Sequence, residues 1–592
     1  MIILGITAFF HDSSASILRD GEVLFGIQEE RLTKIKHDSS FPINAIKFCL
    51  NKTEINIKDI DVVVYYEKPL IKFDRIINSF ISFAPKGFKH FKKVILEWST
   101  KKLFIKKIIT KKLSKLDNTQ FRADILFSSH HLSHAALGYF TTDFTSSAIL
   151  VIDAVGENAT TSIFMGKRNK LKLLKEYAYP HSLGLLYSSF TQFLGFRVNS
   201  DEYKLMGLSG YGNKSSEETK KFIELIYSDI ISIENEGNYF ILNQDYFQFQ
   251  FGESMIDINK FEFLFSLKQR EETSQINQSH CNLALAIQTV LECLLIRLVE
   301  EVKLLSRSDN LIVVGGVALN TVAMGNIRKL KLFKNFSVPF APGDSGTSIG
   351  ALLAIWHLYL NNKERIKISP YLGNEFSNNE IKKYLIKNNI DFEYFDKFED
   401  VIKFTCDVLT KAKIVAWFQN RSEFGERALG NRSILADPSI IYGKSRLNSQ
   451  IKFRESFRPF APSIIEEEAL NYFEMGDSRY MQFVTKILPK YRCISDVNET
   501  SFENKVLIRT SKFASVTHVD YTSRLQTVSK KDNSKFWELL KKYEELSGSP
   551  ILVNTSLNLK NQPIVEDIED VFFTFNNSGI DYLIIENFII SK

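Results

Sequence analysis

Cysteine is scarce in this sequence. Its five cysteines, Cys49, Cys281, Cys293, Cys406 and Cys493, are odd in number and form no CxxC pair, a pattern that argues against a disulfide framework and a thiolate zinc site. Reduced thiols in a cytoplasmic protein are the expectation. An excess of one charge is also missing: 75 Lys and Arg face 69 Asp and Glu, and +6 net over 592 residues is too little to imply a nucleic-acid partner. No uninterrupted apolar run approaches the length of a membrane span. The opening "MIILGITAFFHDSSAS" lacks a basic n-region and soon turns polar, so a strand is expected there rather than a signal peptide. What is present is ordinary for a folded chain: 44% hydrophobic and 24% charged residues, at a length that calls for at least two domains.

The hydrophobic pattern predicts an α/β protein. The apolar run Met1 to Thr7, a polar turn and "SASILRDGEVLFGIQEER" read as strands around an Asp-Gly hairpin turn. The layout returns at "SSAILVIDAVGENATTSIFMG", where a strand ends in Asp153, so a duplicated domain is expected. "NLIVVGGVALNTVAMGNIRKL" reads as strand, Gly-Gly turn and helix, and "FAPGDSGTSIGALLAIWHLYL" as a Gly-rich loop feeding a helix; both place backbone amides at helix N-termini, where anions bind. The polar stretch "NNKERIKISPYLGNEFS" marks a linker, dividing the chain into domains 1–365 and 366–592.

Three of the ten histidines fall within "SSHHLSHAALGYF". His130 and His134, four residues apart, share one helical face, which Ser128 or Ser129 could cap, while His131 points elsewhere. Taken alone, HxxxH is more often a helix start than a metal site. Two further ligands are needed, and the candidates are acids at strand ends: Asp153 in "VIDA" and Asp344 in "APGDSG". The metalloprotease reading fails because no HExxH glutamate follows His130.

In order, "GITAFFHDSSASIL", "EERLTKIKHDSSFP", "HHLSHAALGYF", "DEYKLMGLSGYG", "VVGGVALN" and "APGDSGTSIGALL" resemble the nodulation-protein and antibiotic O-carbamoyltransferase family. The resemblance implies an N-terminal actin-like ATPase and sugar-kinase fold of the TsaD-like type. It implies a mononuclear divalent metal on His130, His134, Asp153 and Asp344, iron(II) foremost with manganese or zinc as alternatives. His11 matches the acid/base histidine, Lys36 a catalytic position, and Lys204, Gly315, Gly316 and Asn320 a nucleotide and transfer pocket. The later segments "GERALGNRS", "KFRESFRPFAP", "TSRLQ" and "LVNTSLN" resemble the family's α+β YrdC-like domain, implying that Arg427, Arg432, Lys452, Arg458, Arg524, Asn554 and Ser556 bind carbamoyl phosphate and ATP, magnesium accompanying ATP. Guanidinium forks suit such oxyanions. The chain departs from the family pattern at Ala154 and Asn420, where glycine is usual, and at Glu426, where proline is usual.

The implied activity is an ATP-dependent O-carbamoyltransferase that forms carbamoyl adenylate and passes the carbamoyl group to a hydroxyl of a sugar, a polysaccharide precursor or a secondary metabolite. The alternatives are an N-carbamoyl transferase of the tRNA-threonylcarbamoylation type and a non-catalytic nucleotide-binding module. Within a helical insertion at about 80–118, residues 86–116 carry many lysines and a single acid, Glu97. Phe104, Ile105, Ile108 and Ile109 are expected to share an apolar helix face there, with lysines outside. A solvated insertion over the site, a membrane surface and an anionic glycan are the readings of it, with nucleic acid ranking last.

Overall fold

Five of the six residues of β1 (Ile2–Thr7) are buried, and β1 pairs antiparallel with β2 (Ser14–Arg19). Asp20 and Gly21 take φ of 50° and 93°, the left-handed pair that closes a tight hairpin, and β3 (Glu22–Gln28) returns along β2. β4 (Val62–Tyr65) and β5 (Asp124–Phe127) add in parallel on the other side of β1, giving the order β3-β2-β1-β4-β5. The plan then repeats. β6 (Ser146–Ile152), β7 (Ala159–Lys167) and β8 (Lys170–Ala178) form an antiparallel meander, and, after a short ribbon of β9 (Ile231–Ser232) and β10 (Ile241–Leu242), β11 (Asn310–Val314) and β12 (Asn335–Ser337) join in parallel. The second sheet, β12-β11-β6-β7-β8, thus has the order of the first, the duplicated topology of the actin-like ATPase and sugar-kinase fold.

This computed structural model describes residues 1–100, 102–117, 121–233, 239–440, 443–493 and 501–592. The chain divides into two compact units. One comprises Met1–Glu29 and His37–Ile368; the other, Glu30–Lys36 and Ser369–Lys592. The seven residues Glu30–Lys36 therefore fold with a unit more than three hundred residues downstream, which the linear boundary near 365 does not anticipate.

In the first unit, helix Thr347–Ala354 lies between β1 and helix His130–Phe140. A side chain at Gly350 would place its Cβ 1.9 Å from the Ser133 carbonyl oxygen, and one at Gly5 would sit 2.1 Å from the Ser348 oxygen, so glycine permits both close approaches. Buried hydroxyls complete the seam: Ser14 Oγ donates to the Ser345 carbonyl at 2.7 Å and meets Ser348 Oγ at 2.9 Å, and Thr7 Oγ1 meets Thr347 Oγ1 at 2.7 Å. Helix Gln278–Ser306 is long and apolar enough to cross a membrane by length and composition, although Glu292 and Arg297 interrupt its apolar run. Leu283, Ile287, Leu291, Leu294, Leu298 and Val302 are buried inside the unit.

The lysine-rich insertion between β4 and β5 forms three helices, Pro69–Phe83, Phe88–Thr100 and Ile105–Ser114; Lys101 and residues 118–120 lie outside the described residues. The expected apolar face is only partly as read. Ile105, Ile109 and Leu113 form the buried seam at i, i+4 and i+8, whereas Phe104 precedes the helix and is exposed, because the chain changes direction at a short 3-10 turn over Lys102–Phe104.

The second unit is built on a nine-stranded sheet containing β13 (Glu393–Tyr394), β14 (Val415–Phe418), β15 (Arg432–Ala436), β16 (Ala461–Ile465), β17 (Phe483–Lys486), β18 (Thr522–Val528), β19 (Ile551–Ser556), β20 (Tyr582–Ile585) and β21 (Phe588–Ser591), in the order β13-β21-β20-β14-β15-β19-β16-β18-β17. Period-two alternation feeds two cores: Ala416 and Phe418 pack into one with Ile434 and Phe572, Val415 and Trp417 into the other with Leu435 and Phe536. Segment Glu30–Lys36 is tied in by Arg31, which is buried, donates from Nη2 to the Gly425 carbonyl at 2.8 Å and lies 3.5 Å from Glu566 Oε2.

Candidate metal centre and oxyanion site

His130 and His134 sit one turn apart on helix His130–Phe140, both buried, with their Nε2 atoms 3.2 Å apart. Asp153 directly follows β6, its Oδ2 lying 2.7 Å from His130 Nε2 and 3.7 Å from His134 Nε2. Asp344 opens the turn before helix Thr347–Ala354, its Oδ1 lying 3.3 Å from His134 Nε2 and 3.5 Å from His130 Nε2. One ligand atom from each of the four falls within 4.8 Å of the others. Two imidazole nitrogens aimed at each other attract only through a proton or a cation between them, so this buried N2O2 set fits a divalent metal ion. Asp344 Oδ2, also buried, receives no hydrogen bond.

The electrostatics agree. Burial depresses the His134 imidazole, but Asp153 and Asp344 outweigh it and push it up to about 9. Burial opposes ionisation of Asp153 as well, yet the two histidines hold it well below the usual carboxylate range. The pocket is built for positive charge.

Backbone groups fix the ligands. Asp153 Oδ1 accepts from the Ala154 amide at 2.9 Å and the Gly316 amide at 3.3 Å. Gly315 makes the second bond reachable: its φ is 94°, and a Cβ there would lie 2.3 Å from the Ile152 carbonyl oxygen. Ala154 is not among the left-handed residues, so its methyl causes no backbone strain. Ser129 occupies the helix cap position without a side-chain bond; Glu157 Oε1 takes that role, accepting from the His130 amide at 2.9 Å and the Lys68 amide at 2.8 Å. Lys68 leads into insertion helix Pro69–Phe83, whose Arg75 donates to the Gly156 carbonyl at 2.9 Å. His131 turns away to Ser162 Oγ at 2.6 Å, and burial keeps it well below the ordinary histidine range.

His11 approaches from the loop after β1, its Nε2 3.8 Å from Asp344 Oδ2. Its Nδ1 lies 2.8 Å from Asp12 Oδ2, and Asp12 Oδ1 lies 2.7 Å from His37 Nδ1, so one carboxylate bridges two imidazoles. Burial lowers His11, but Asp344 and Asp12 together raise it to about 10. Asp12 and His37 adopt left-handed backbone, φ 60° and 57°, a conformation that costs a non-glycine residue free energy. Sequence reasoning missed this pair; the signal was the repeated "HDSS" at His11 and at His37.

Other expected pocket residues have different surroundings. Lys204 pairs with Asp201 at 3.1 Å. Asn320 does not present a free amide: its Oδ1 caps the Ala323 amide at 3.0 Å and accepts from Gln288 Nε2 at 3.1 Å, while its Nδ2 donates back to Gln288 Oε1 at 3.0 Å. Its amide thus secures the start of helix Thr321–Lys329. Lys36 falls in the segment that belongs to the second unit, so it shares no compact unit with His11.

In the second unit, Lys452 is buried and its hydrogen-bond partners are neutral oxygens: Ser556 O and Oγ, and the Asn558 backbone and side-chain oxygens. Burial, with Arg454 and Arg458 nearby, holds its ammonium well below the ordinary lysine range. A buried lysine bonded to neutral oxygens, with two guanidinium groups nearby, is an arrangement that suits an oxyanion. Ser556 and Asn554 end β19; Asn554 donates to Gln526 Oε1 at 2.7 Å, and its own Oδ1 is buried without a donor. Arg458 reaches Glu455 at 3.5 Å, Arg524 sits half-buried on β18 opposite Val484, and Arg427 lies half-buried in the loop from β14 to β15. That loop is drawn around Glu423, whose Oε1 accepts from the amides of Leu429, Asn431 and Arg432 at 2.7, 2.8 and 3.2 Å.

Arg432 departs from its expected place in the substrate set. It is fully buried, stacks 3.6 Å over Phe418 and donates to the carbonyls of Gln419, Asn420, Asn431 and Asn374 at 2.7–3.0 Å. Its terminal nitrogens are occupied by the backbone, which makes it a structural cation. One of those carbonyls belongs to Asn420, whose φ of 47° explains the usual glycine there, and asparagine is a residue that tolerates it.

A family model for the carbamoyltransferase N-terminus matches residues 2–353, and one for the carbamoyltransferase C-terminus matches residues 406–592. The chain belongs to the carbamoyltransferase family. It is 40% identical to the uncharacterized protein sll1178 of Synechocystis sp. over 100% of this chain and 96% of that one. It is 31% identical to the nodulation protein NolNO of Sinorhizobium fredii over 99% of this chain and 79% of the relative. Among solved structures, the activator of the 2-hydroxyisocaproyl-CoA dehydratase from Clostridium difficile is similar at 16% identity with a TM-score of 0.30, covering 60% of this chain and 93% of that one. The protein is thus a transferase with a buried His/Asp cluster that could bind a metal.

Proposed function

We propose that the chain is a two-step O-carbamoyltransferase. In the second unit, carbamoyl phosphate loses inorganic phosphate to water, and a carbamate oxygen then attacks the α-phosphorus of ATP, displacing pyrophosphate and forming carbamoyl adenylate. Lys452, Arg458, Arg427 and Arg524 would hold the phosphate oxygens there, with Ser556 and Asn554 orienting the carbamoyl amide. The observation that carries this reading is Lys452, a buried ammonium surrounded by neutral oxygens and neighbouring guanidinium groups. In the first unit, an acceptor hydroxyl attacks the carbamoyl carbon and AMP departs. His11 would move the hydroxyl proton at Nε2, its Nδ1 being fixed by Asp12. A divalent ion on His130, His134, Asp153 and Asp344, iron(II) foremost, would supply positive charge for the developing oxyanion. The acceptor would be a sugar, glycan precursor or secondary-metabolite hydroxyl.

Release of AMP that requires both carbamoyl phosphate and a hydroxyl acceptor tests the proposal. Acceptor-independent hydrolysis of ATP to ADP would contradict it.

A further inference from the structure

The transfer chemistry makes no use of the insertion's outer surface. From 86 to 116 it holds eleven lysines, one acid and no arginine. Helix Phe88–Thr100 packs inward through Phe91, stacked 3.8 Å from Phe80, and Trp98, 6.0 Å from Phe73. Lys89, Lys92, Lys93 and Leu96, spaced i, i+3, i+4 and i+7, all face solvent from the other side. Helix Ile105–Ser114 repeats the division, with Ile105, Ile109 and Leu113 buried and Lys106, Lys107, Lys111 and Lys112 exposed.

Apolar side chains stand among these lysines. Phe88, Leu96 and Phe104 are 60%, 54% and 55% exposed, and an open cleft of about 640 Å³ is lined by Phe88, Lys89, His90, Lys93 and Phe251 together with one acid, Glu253, which pairs with Lys93 at 3.0 Å. Exposing such residues costs hydration free energy that a monomer in water does not recover.

We propose that this insertion docks on an anionic lipid bilayer. The lysines supply the attraction to acidic headgroups, and Phe88, Leu96 and Phe104 enter the boundary between headgroups and acyl chains. A nucleic acid or other soluble polyanion fits less well. It would leave the apolar tips without a purpose, and the segment has none of the arginines whose forks read phosphate and base edges.

The test is co-sedimentation of the full chain with vesicles of phosphatidylcholine alone or enriched in phosphatidylglycerol. The expected result is binding to the acidic vesicles only, falling as salt rises. It should weaken by roughly tenfold or more in each of two surface variants, Lys89→Gln/Lys92→Gln/Lys93→Gln and Phe88→Ser/Leu96→Ser/Phe104→Ser. Both variants change exposed positions, and unaltered circular dichroism would show that they fold. Absence of binding to acidic vesicles, or equal binding by wild type and both variants, would overturn the proposal. Loss in the lysine variant with full binding by the apolar variant would overturn it in favour of a soluble polyanion, with tRNA as the competing probe.

Discussion

His130 Nε2 and His134 Nε2 stand 3.2 Å apart, and no hydrogen bond between two neutral acceptor nitrogens could hold them there. A shared proton or a bound cation would account for the approach, and the proposed function takes it to be a metal ion. His134→Ala and Asp344→Asn should therefore reduce bound metal to a trace when metal content is measured on purified protein. His131→Gln should leave it intact, because His131 Nδ1 is turned to Ser162. Retention of metal by His134→Ala would show that the ligand face is wrong.

Asp12 bridges His11 and His37 within 2.8 Å of each, so it fixes the orientation of the His11 ring and, with Asp344, favours its charged form. Asp12→Asn should lower kcat for carbamoyl transfer by about a hundredfold with little change in KM. His37→Gln should lower it by roughly tenfold and shift the pH profile. Both should keep their metal and their carbamoyl-phosphate-dependent pyrophosphate exchange. A parallel loss of exchange would instead indicate general damage to the fold.

Lys452 has a depressed ammonium affinity for protons when no anion is bound. An oxyanion favours the charged form and raises that affinity, so binding should take up protons wherever the free lysine is partly neutral. Affinity for carbamoyl phosphate, followed by calorimetry in buffers of different ionisation enthalpy, should thus fall as pH rises through the free-protein value. Lys452→Met should abolish both the proton uptake and most of the affinity. Proton release on binding would have the wrong sign.

Arg432 and Arg458 should separate cleanly. Removing Arg432 strands four backbone carbonyls around a buried hole, so Arg432→Met should cost about 3 kcal/mol of stability or more in denaturant unfolding. Arg458→Met, at a half-buried position beside Glu455, should unfold normally and lose carbamoyl phosphate affinity. Equal stability of the two variants would place Arg432 back among the ligands.

The convergence of His130, His134, Asp153 and Asp344 was legible in the sequence because its parts obey local rules. A four-residue spacing sets two histidines on one helical face, and strands ending in Asp or feeding a Gly-rich turn deliver acids to one end of a sheet. The repeated hairpin likewise announced the duplicated sheets. Asp12 and His37 were harder to see: they lie 25 residues apart, and only tertiary folding shows that they meet. The membership of Glu30–Lys36 in the second unit has no linear signal either, since a seven-residue excursion leaves no composition boundary. For Arg432 and Asn320 the sequence could not show which protein groups their side chains contact. Residue type reports what a side chain can bind, whereas burial against carbonyls or an opposing amide decides what it does bind.

The separation of labour between the units is the centre of the account, and exchange of labelled pyrophosphate into ATP tests it most directly. Exchange should require carbamoyl phosphate, vanish in Lys452→Met and persist in His134→Ala, which should be defective only in passing the carbamoyl group to a hydroxyl. Exchange that survives in Lys452→Met, or that disappears in a folded His134→Ala protein, would contradict it.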